Sequence, residues 1–189
     1  MFYTRDLNEM DTKLINDILH IDSLVYPAHY QGTFSEIHDR YKTNRDMFVL
    51  LYADEMLIGY LCMFPIKTVL YEQILQEDRF FDSDIPGNML ETFCPNNSYK
   101  LYLISAAIHP KYQKQGLSNL LITGFHKYVN DKKKNSITFS SALSTSITME
   151  GRQMLRKMGF SEIANRGENF KLHELVFDEV FYSNTEEVK

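Results

Sequence analysis

The most informative segment of the chain reads Ile108-His109-Pro110-Lys111-Tyr112-Gln113-Lys114-Gln115-Gly116-Leu117-Ser118. Before it, residues 101–108 carry apolar side chains on both faces, which predicts a buried central strand that Pro110 ends. After it, apolar residues recur at spacings of three and four from Leu117 to Tyr128, as on a helix that packs along one stripe. The segment is therefore predicted to connect a strand directly to the first turn of a helix.

A turn of this kind is suited to binding an anion. The first N–H groups of a helix have no partner inside the helix, and they lie at the positive end of its dipole. Gly116 and the small Ser118 would let a ligand approach the backbone closely. The Walker pattern GxxxxGK(S/T) and the dinucleotide pattern GxGxxG are both absent. From these residues alone, an anion site and a plain connector remain equally open.

Hydrophobic periodicity and turn residues predict the other elements on both sides of this segment. The predicted strands are residues 2–7, 47–52, 56–64, 101–108, 136–143 and 172–182. The predicted helices cover the apolar positions Leu14 to Val25, residues 33–41, about 69–76, a stretch from Leu117, and residues 147–158. Ala53-Asp54-Glu55 predicts a hairpin turn, and Ser146 and Gly159 are the predicted cap and stop of the last helix.

This order of elements predicts an α/β fold, in the form of an α+β sandwich with a mixed sheet and helices on both faces. Residues 68–98 are rich in Asp, Pro, Gly and Asn and are expected to form an insertion between strands. No repeat, linker or low-complexity tract divides the chain, so residues 1–189 are expected to form a single domain.

Composition limits the classes of partner and location. The net charge of −5 disfavours nucleic acid, which needs a concentrated basic surface, and Lys132-Lys133-Lys134 is predicted to be a solvated helix end. Cys62 and Cys94 form no CxxC pair, and the histidines have no ligand spacing, so no metal site is predicted. No signal segment or membrane-spanning apolar run is recognised. We expect a cytoplasmic protein without a membrane partner.

Two motifs resemble those of the GNAT (general N-acetyltransferase) superfamily. Gln113-Lys114-Gln115-Gly116-Leu117-Ser118 resembles the signature Q/R-x-x-G-x-G/A, with Ser at the last small position, and Ile108-His109-Pro110 resembles the V-x-P before it. Residues 154–160 resemble the second motif, in which a helix ends at a Gly-Phe pair that opens the next strand. The resemblance extends over residues 47–160.

The resemblance implies a mostly antiparallel sheet of about six or seven strands, splayed between two parallel central strands at residues 101–108 and 136–143. It implies that acetyl-CoA is a co-substrate that lies in this opening. The backbone of Ala106, Ala107 and Ile108 would pair with the pantetheine arm. The residues of the turn would hold the pyrophosphate, namely Gln113, Lys114, Gln115, Gly116, Leu117 and Ser118. A homodimer is common in the superfamily.

The catalytic groups common in the superfamily are missing here. The position of the usual tyrosine acid is Leu155, and no Glu lies on residues 101–108. Tyr102 is one candidate, although a tyrosine on a central strand is often core packing. Ser144 is another, within the hydroxyl-rich run Ser140, Ser141, Ser144, Thr145 and Ser146, where a hydroxyl would bind pantetheine or assist the leaving sulfur, or serve only as a turn or cap residue.

Candidates for binding the acceptor come from two loops. Tyr26, His29 and Tyr30 lie between the first two helices, a loop that often lines the acceptor pocket in this superfamily, and their alternative role is packing. The insertion is acidic through Glu72, Glu77, Asp78, Asp82, Asp84 and Glu91. These carboxylates would attract a cationic acceptor, or would form an ordinary solvated surface.

The sequence thus leaves two main hypotheses. The first is an acetyl-CoA-dependent N-acetyltransferase that acts by direct transfer on a primary amine of a small molecule or peptide. The second is a non-catalytic acyl-CoA-binding sensor or regulatory module, since the usual acid and base are absent. A purely structural protein on the same scaffold would bind no coenzyme at all.

Overall fold

The computed structural model describes residues 1–6, 12–77, 85–167 and 170–186. Its strands are β1 (Phe2–Asp6), β2 (Phe48–Ala53), β3 (Met56–Ile66), β4 (Asn97–Ile108), β5 (Ile137–Ser146), β6 (Ser161–Asn165) and β7 (Lys171–Val176). Its helices are α1 (Thr12–Val25), α2 (Phe34–Thr43), α3 (Thr68–Gln76), α4 (Ser118–Lys134), α5 (Met149–Lys157) and α6 (Glu179–Glu186).

The strands form one seven-stranded sheet in the order β1-β2-β3-β4-β5-β7-β6. Only β4 and β5 pair in parallel, and every other neighbouring pair is antiparallel. The predicted mixed, mostly antiparallel sheet with two parallel central strands is therefore confirmed.

Helices cover both faces of the sheet, as predicted. On one face, α1, α2 and α3 bury a core that includes Ile18, Phe64 and Ile74. On the other face, α4 and α5 bury a second core around Phe125 and Leu155, to which Phe177, just before α6, contributes. Because β2 and β3 have apolar side chains on both faces, they are almost completely buried, whereas β4 and β5 are buried over only part of their length.

The end of the chain differs from the prediction. The last predicted strand, residues 172–182, is β7 only as far as Val176, and α6 follows it. The cause is local, because the Asp178 side chain accepts a hydrogen bond from the Phe181 N–H at 2.8 Å and caps the new helix. The strand that follows Gly159-Phe160 is β6, a short and mostly exposed edge strand.

Two local assignments are also corrected. Thr148, not Ser146, caps α5, since its hydroxyl accepts from the Gly151 N–H at 3.0 Å. Lys132 is not a solvated cation: its side chain is 13% exposed, and its ammonium lies 2.5 Å from Asp46 and 4.2 Å from the Phe93 ring centre. The packing of Phe93 under α4 gives this lysine a partner that its sequence position did not indicate.

The insertion is partly structured. The predicted helix is α3, and beyond it Ile85 and Leu90 are buried in the same core. Asp78, Asp82 and Asp84 lie outside the described residues.

Candidate active site

The central parallel strands separate part of the way along their length. Their pairing runs from Asn97 opposite Ile137 to Leu103 opposite Ser144. Beyond that point β4 stays paired with β3 up to Ile108, while β5 stays paired with β7 up to Ser146. The two strands thus diverge and leave a V-shaped cleft of about 690 Å³.

A β-bulge marks the point of divergence. Cys62 of β3 lies opposite Ser105 and Met63 lies opposite Leu103, so Ile104 is an extra residue in β4. Ile104, Ser105 and Ala106 are all partly exposed and line the cleft. Bulges reorient backbone and side chains in this way next to many functional sites.

The turn between β4 and α4 forms one end of the cleft. Gln113 donates from its side chain to the Ile108 carbonyl at 2.8 Å, and Gln115 donates to the Lys111 carbonyl at 3.1 Å. These two side chains therefore hold the shape of the turn itself. Lys114 and Gly116 have φ angles of 60° and 76°, which bend the backbone sharply before the helix.

The backbone of this turn is available to a ligand. Within the described residues, no amide from 114 to 118 donates a hydrogen bond. A side chain added at Gly116 would meet no atom within 4 Å, so the space beside the backbone is open. Free N–H groups at the start of a 17-residue helix are suited to a phosphate group.

The structure brings most of the predicted cofactor residues together along this cleft. Its walls include Ala106, Ala107, Ile108, Gln113, Lys114, Gly116, Leu117 and Ser118. Gln115 does not line the cleft.

The loop after α1 forms another part of the cleft wall. Tyr26, His29 and Tyr30 all line the cleft, and the last two belong to a short 3₁₀ turn, Ala28–Tyr30. The rings of His29 and Tyr30 lie 4.1 Å apart, and the Tyr26 hydroxyl donates to the Ala106 carbonyl at 2.8 Å. Tyr26 therefore ties this loop to the diverging part of β4.

A buried carboxyl group lies behind Tyr26. Asp22 of α1 is 6% exposed, lines the cleft, and accepts a hydrogen bond from the Tyr60 hydroxyl of β3. The Tyr60 hydroxyl is 2.8 Å from the Ser105 hydroxyl, which lies 3.3 Å from that of Tyr26. A continuous chain of hydrogen bonds thus runs from Asp22 to the Ala106 carbonyl.

Burial controls the ionisation of this group. It raises the pKa of Asp22 from 3.8 to about 6, although hydrogen bonds from Tyr60 and the Gly32 amide act in the opposite direction. Burial and the charge of Asp22 raise the pKa of Tyr60 well above 10, so its hydroxyl stays protonated. A carboxyl group with a pKa near neutrality, in a cleft, is a candidate proton acceptor.

Sequence reasoning missed Asp22, Tyr60 and Ser105. The available signal was Asp22 itself, four residues after Ile18 and so on the apolar face of the predicted helix. Tyr60 and Ser105 gave no signal, because each lies within an apolar strand.

The two predicted catalytic residues, Tyr102 and Ser144, have structural roles in the sheet. Tyr102 is fully buried, packs near Phe64, and does not line the cleft. Ser144 lines the cleft, but it is 1% exposed and its hydroxyl donates to the Leu103 carbonyl at 2.9 Å. This bond joins β4 to β5 at the last pair before they diverge.

The hydroxyl run contains a different buried pair. Ser146, which lines the cleft, lies 2.8 Å from Nε2 of the fully buried His173. Burial lowers the pKa of His173, which favours a neutral imidazole at pH 7. Leu155 of α5 also lines the cleft, so the described wall is apolar there.

The acidic residues of the insertion that the structure describes are not found at the cleft. Glu72, Glu77 and Glu91 do not line it. Among the described residues, no group of three His, Cys, Asp or Glu side chains is arranged to hold a metal ion. Within the same part of the chain, no helix is both long and apolar enough to cross a bilayer.

Comparison with known proteins gives matches only at the level of structure. No protein-family model and no curated protein sequence matches the chain. Arabidopsis thaliana Naa50, in complex with the bisubstrate analogue CoA-Ac-MVNAL, is 14% identical with a TM-score of 0.56, over 92% of this chain and 99% of that one.

Two further solved structures are similar to the same extent. The ribosomal-protein-S18-alanine N-acetyltransferase from Escherichia coli is 11% identical with a TM-score of 0.58, over 93% of this chain and 94% of that one. The GphF GNAT-like decarboxylase, in complex with isobutyryl-CoA, is 9% identical with a TM-score of 0.61, over 92% and 98%. With its splayed parallel pair and these structural relatives, the chain has the fold of the GNAT superfamily.

Proposed function

We propose that this protein is an acetyl-CoA-dependent N-acetyltransferase that transfers the acetyl group directly to a primary amine of a small molecule or peptide. One observation carries the proposal. The free amides of residues 114–118 and the unpaired side of β4 open into the same cleft. A pyrophosphate and an extended arm could therefore be bound at the same time.

The residues present fit acetyl-CoA. The amides from Lys114 to Ser118 would hold the pyrophosphate, and the open space at Gly116 would admit it. The backbone of Ala106, Ala107 and Ile108 would accompany the pantetheine arm, although the Ala106 carbonyl already accepts the Tyr26 hydroxyl. A carbonyl oxygen has two lone pairs and can accept a second hydrogen bond.

Two separate segments of the chain line the cleft. They are the turn before α4 and the loop of Tyr26, His29 and Tyr30. An amine held by this loop would face a thioester placed near the bulge at Ile104. Holding both reactants in this orientation is itself a large part of catalysis by direct transfer.

The structural relatives support acyl-CoA chemistry on this scaffold. Naa50 is described with a coenzyme A bisubstrate analogue, and the E. coli relative is an alanine N-acetyltransferase. GphF, in contrast, is a GNAT-like decarboxylase, so the scaffold alone does not fix the reaction.

A second candidate function is an acyl-CoA-binding module that does not turn the coenzyme over. The observation that favours it is the apolar wall at Leu155, together with the lack of a carboxylate on β4. Both functions require coenzyme binding, and only the enzyme releases free coenzyme A thiol when an amine is added.

Calorimetric titration of acetyl-CoA into the wild type and into Gly116→Trp tests the cofactor site. We expect the wild type to bind and the variant to lose at least about 100-fold in affinity, because the indole fills the open space beside the turn amides. Gly116→Ala is the matched control, since it carries the same backbone strain at φ 76° without the bulk.

A smaller loss in Gly116→Ala than in Gly116→Trp places the coenzyme at this turn. Equal binding by all three proteins would mean that the coenzyme binds elsewhere. If the folded wild type does not bind acetyl-CoA, both the acetyltransferase and the binding module are excluded. Once binding is established, thiol release with added amines separates these two functions.

A further inference from the structure

We propose that Asp22 binds the ammonium group of the acceptor and takes the proton that the amine must lose before it can attack the thioester. The proposal rests on the acetyltransferase function proposed above. The acetyl acceptor that it names is a primary amine that is positively charged in solution. It also assigns the role of proton acceptor to Asp22, since β4 carries no carboxylate.

Asp22 lies in the part of the cleft where we propose that the amine binds. Its carboxyl group lies in the cleft wall between α1 and β3 and is 6% exposed, so a bound cation would be shielded from water. The hydrogen-bonded chain through Tyr60, Ser105 and Tyr26 leads from it to the diverging part of β4. The carboxylate therefore lies near the point where β4 and β5 diverge, on the side where the amine is proposed to bind.

The hydrogen-bonded chain that starts at Asp22 can take up a proton without leaving a hydroxyl unpaired. When Asp22 is ionised, Tyr60 donates to it and Ser105 can donate to Tyr60. When Asp22 is protonated, the donors can reverse: Asp22 to Tyr60, Tyr60 to Ser105, and Ser105 to Tyr26. Tyr26 donates to the Ala106 carbonyl in both states. Because hydroxyl hydrogens rotate, the reversal needs no movement of heavy atoms.

The ionised carboxylate of Asp22 is itself the group that would attract a cationic partner. Tyr60 faces this carboxylate from β3 and the Gly32 amide from the loop before α2, while Ser105 of β4 and Tyr26, just after α1, lie further along the hydrogen-bonded chain. Glu36 and Arg40 of α2 line the same cleft. Burial, which raises the pKa of Asp22 to about 6, makes the carboxyl group a stronger base than an exposed one.

Apolar side chains line the same cleft as Asp22. Ile18 lies one turn earlier on α1, and Met47 and Phe48 line the cleft from the start of β2. A primary amine with an apolar group next to its nitrogen would match this wall, since the ammonium would meet Asp22 and the remainder would contact carbon.

The transfer begins with the loss of a proton from the amine. The ammonium ion gives one proton to Asp22, and the neutral nitrogen attacks the acetyl carbon. The carbon–sulfur bond breaks, the new nitrogen–carbon bond forms, and the second proton of the amine goes to the departing thiolate. The products are the N-acetyl compound and free coenzyme A, and Asp22 returns its proton to water.

Asp22→Asn is the primary test, because asparagine can still accept the Tyr60 hydrogen bond but cannot hold a charge or take a proton. Thiol release is measured with butylamine, benzylamine and alaninamide. We expect acetyl-CoA affinity within about twofold of the wild type and a loss of at least about 100-fold in kcat/KM for the amine. Asp17→Asn is the matched control, since Asp17 lies on the same helix, paired with Lys13 at the surface.

Two further measurements separate a chemical role from a structural one. Acetohydrazide carries a terminal nitrogen that is already neutral at pH 7, so Asp22→Asn should lose much less activity with it than with butylamine. In Tyr60→Phe, the hydrogen bond that lowers the pKa of Asp22 is gone. The acidic limb of the kcat/KM profile, near pH 6 in the wild type, should then move to higher pH.

The outcomes distinguish this inference from the function on which it rests. Equal activity of Asp22→Asn and the wild type, or an unchanged acidic limb in Tyr60→Phe, would overturn the role of Asp22 while leaving an acetyltransferase. Acetyl-CoA binding without thiol release from any of the amines would overturn both and favour the binding module. Equal losses with butylamine and acetohydrazide would reduce Asp22 to a structural residue.

Discussion

Burial of Asp22 destabilises the folded protein at neutral pH. Its pKa is raised from 3.8 to about 6, so the folded state holds this proton more tightly than the unfolded chain. The contribution to stability is therefore present at low pH and is lost as the pH rises from about 4 to 6. At 1.36 kcal/mol per pKa unit, the loss is about 3 kcal/mol. A group kept at such a cost is typical of functional sites.

We expect Asp22→Asn to be more stable than the wild type at pH 8, by up to about 3 kcal/mol, because the uncharged amide has no ionised form to bury. The gain should shrink towards zero at pH 4. Urea unfolding at pH 8 and pH 4 measures the free energy of unfolding of the wild type and of Asp22→Asn. Asp17→Asn, at an exposed ion pair, should change the free energy of unfolding by less than about 0.5 kcal/mol. Lower stability of Asp22→Asn at pH 8 would contradict the raised pKa.

At the scale of elements, α4 holds the turn at residues 114–118 against the sheet. The helix packs on β2 so closely that a Cβ atom added at Gly124 would lie 2.5 Å from Cγ1 of Val49. Glycine is therefore required here for packing, although it lowers the intrinsic stability of a helix interior. The start of α4, and with it the amides of residues 114–118, depends on this contact for its position.

A double-mutant cycle tests the contact between Gly124 and Val49. Gly124→Ala alone should lower the free energy of unfolding by about 1 kcal/mol, since overpacking costs more than helix propensity gains. In a Val49→Ala background the same change should instead stabilise the protein by about 1 kcal/mol, because the space is then open. Chemical denaturation measures the four proteins. Additive effects would show that the helix shifts freely at this position.

At the scale of the whole molecule, the cleft depends on elements that are distant in sequence. The turn at residues 114–118 follows β4, Asp22 comes from α1, and Ser146 ends β5. Coenzyme binding would contact the part of the sheet where β4 and β5 have no hydrogen bonds to each other. It should therefore stabilise the entire fold and not only one loop.

Acetyl-CoA at about 100 times its Kd should add about 2.7 kcal/mol to the free energy of unfolding. For a chain of 189 residues, this corresponds to a rise in Tm of about 5 to 10 °C. Thermal melts of the wild type and Gly116→Trp at the same coenzyme concentration check this expectation. The wild type should shift and the variant should not. An equal shift in both proteins would contradict binding at the turn.

Local signals are sufficient for most elements and insufficient at the cap of α5 and at the boundary between β7 and α6. The strand-to-helix segment, the hairpin and α3 follow from apolar periodicity and from Pro, Gly and Asp positions, which act over a few residues. Residue preference predicts the cap of α5 at Ser146, since Ser is a better cap than Thr, but the structure extends β5 through Ser146 and places the cap at Thr148. At the chain end, β7 and α6 were read as one strand, because the capping carboxylate of Asp178 lies within an apolar run.

The order of elements in the sequence predicts the mixed sheet, and residues close together in the chain predict the turn suited to an anion, whereas the parallel central pair follows from the resemblance to the GNAT superfamily. Tertiary structure alone decided what faces the cleft. It buried Tyr102 and used the Ser144 hydroxyl to join two strands, and it placed Asp22 beside Tyr60, 38 positions away in the chain. The ionisation of a carboxyl group depends on burial and on partners of this kind, and neither is written in its local sequence.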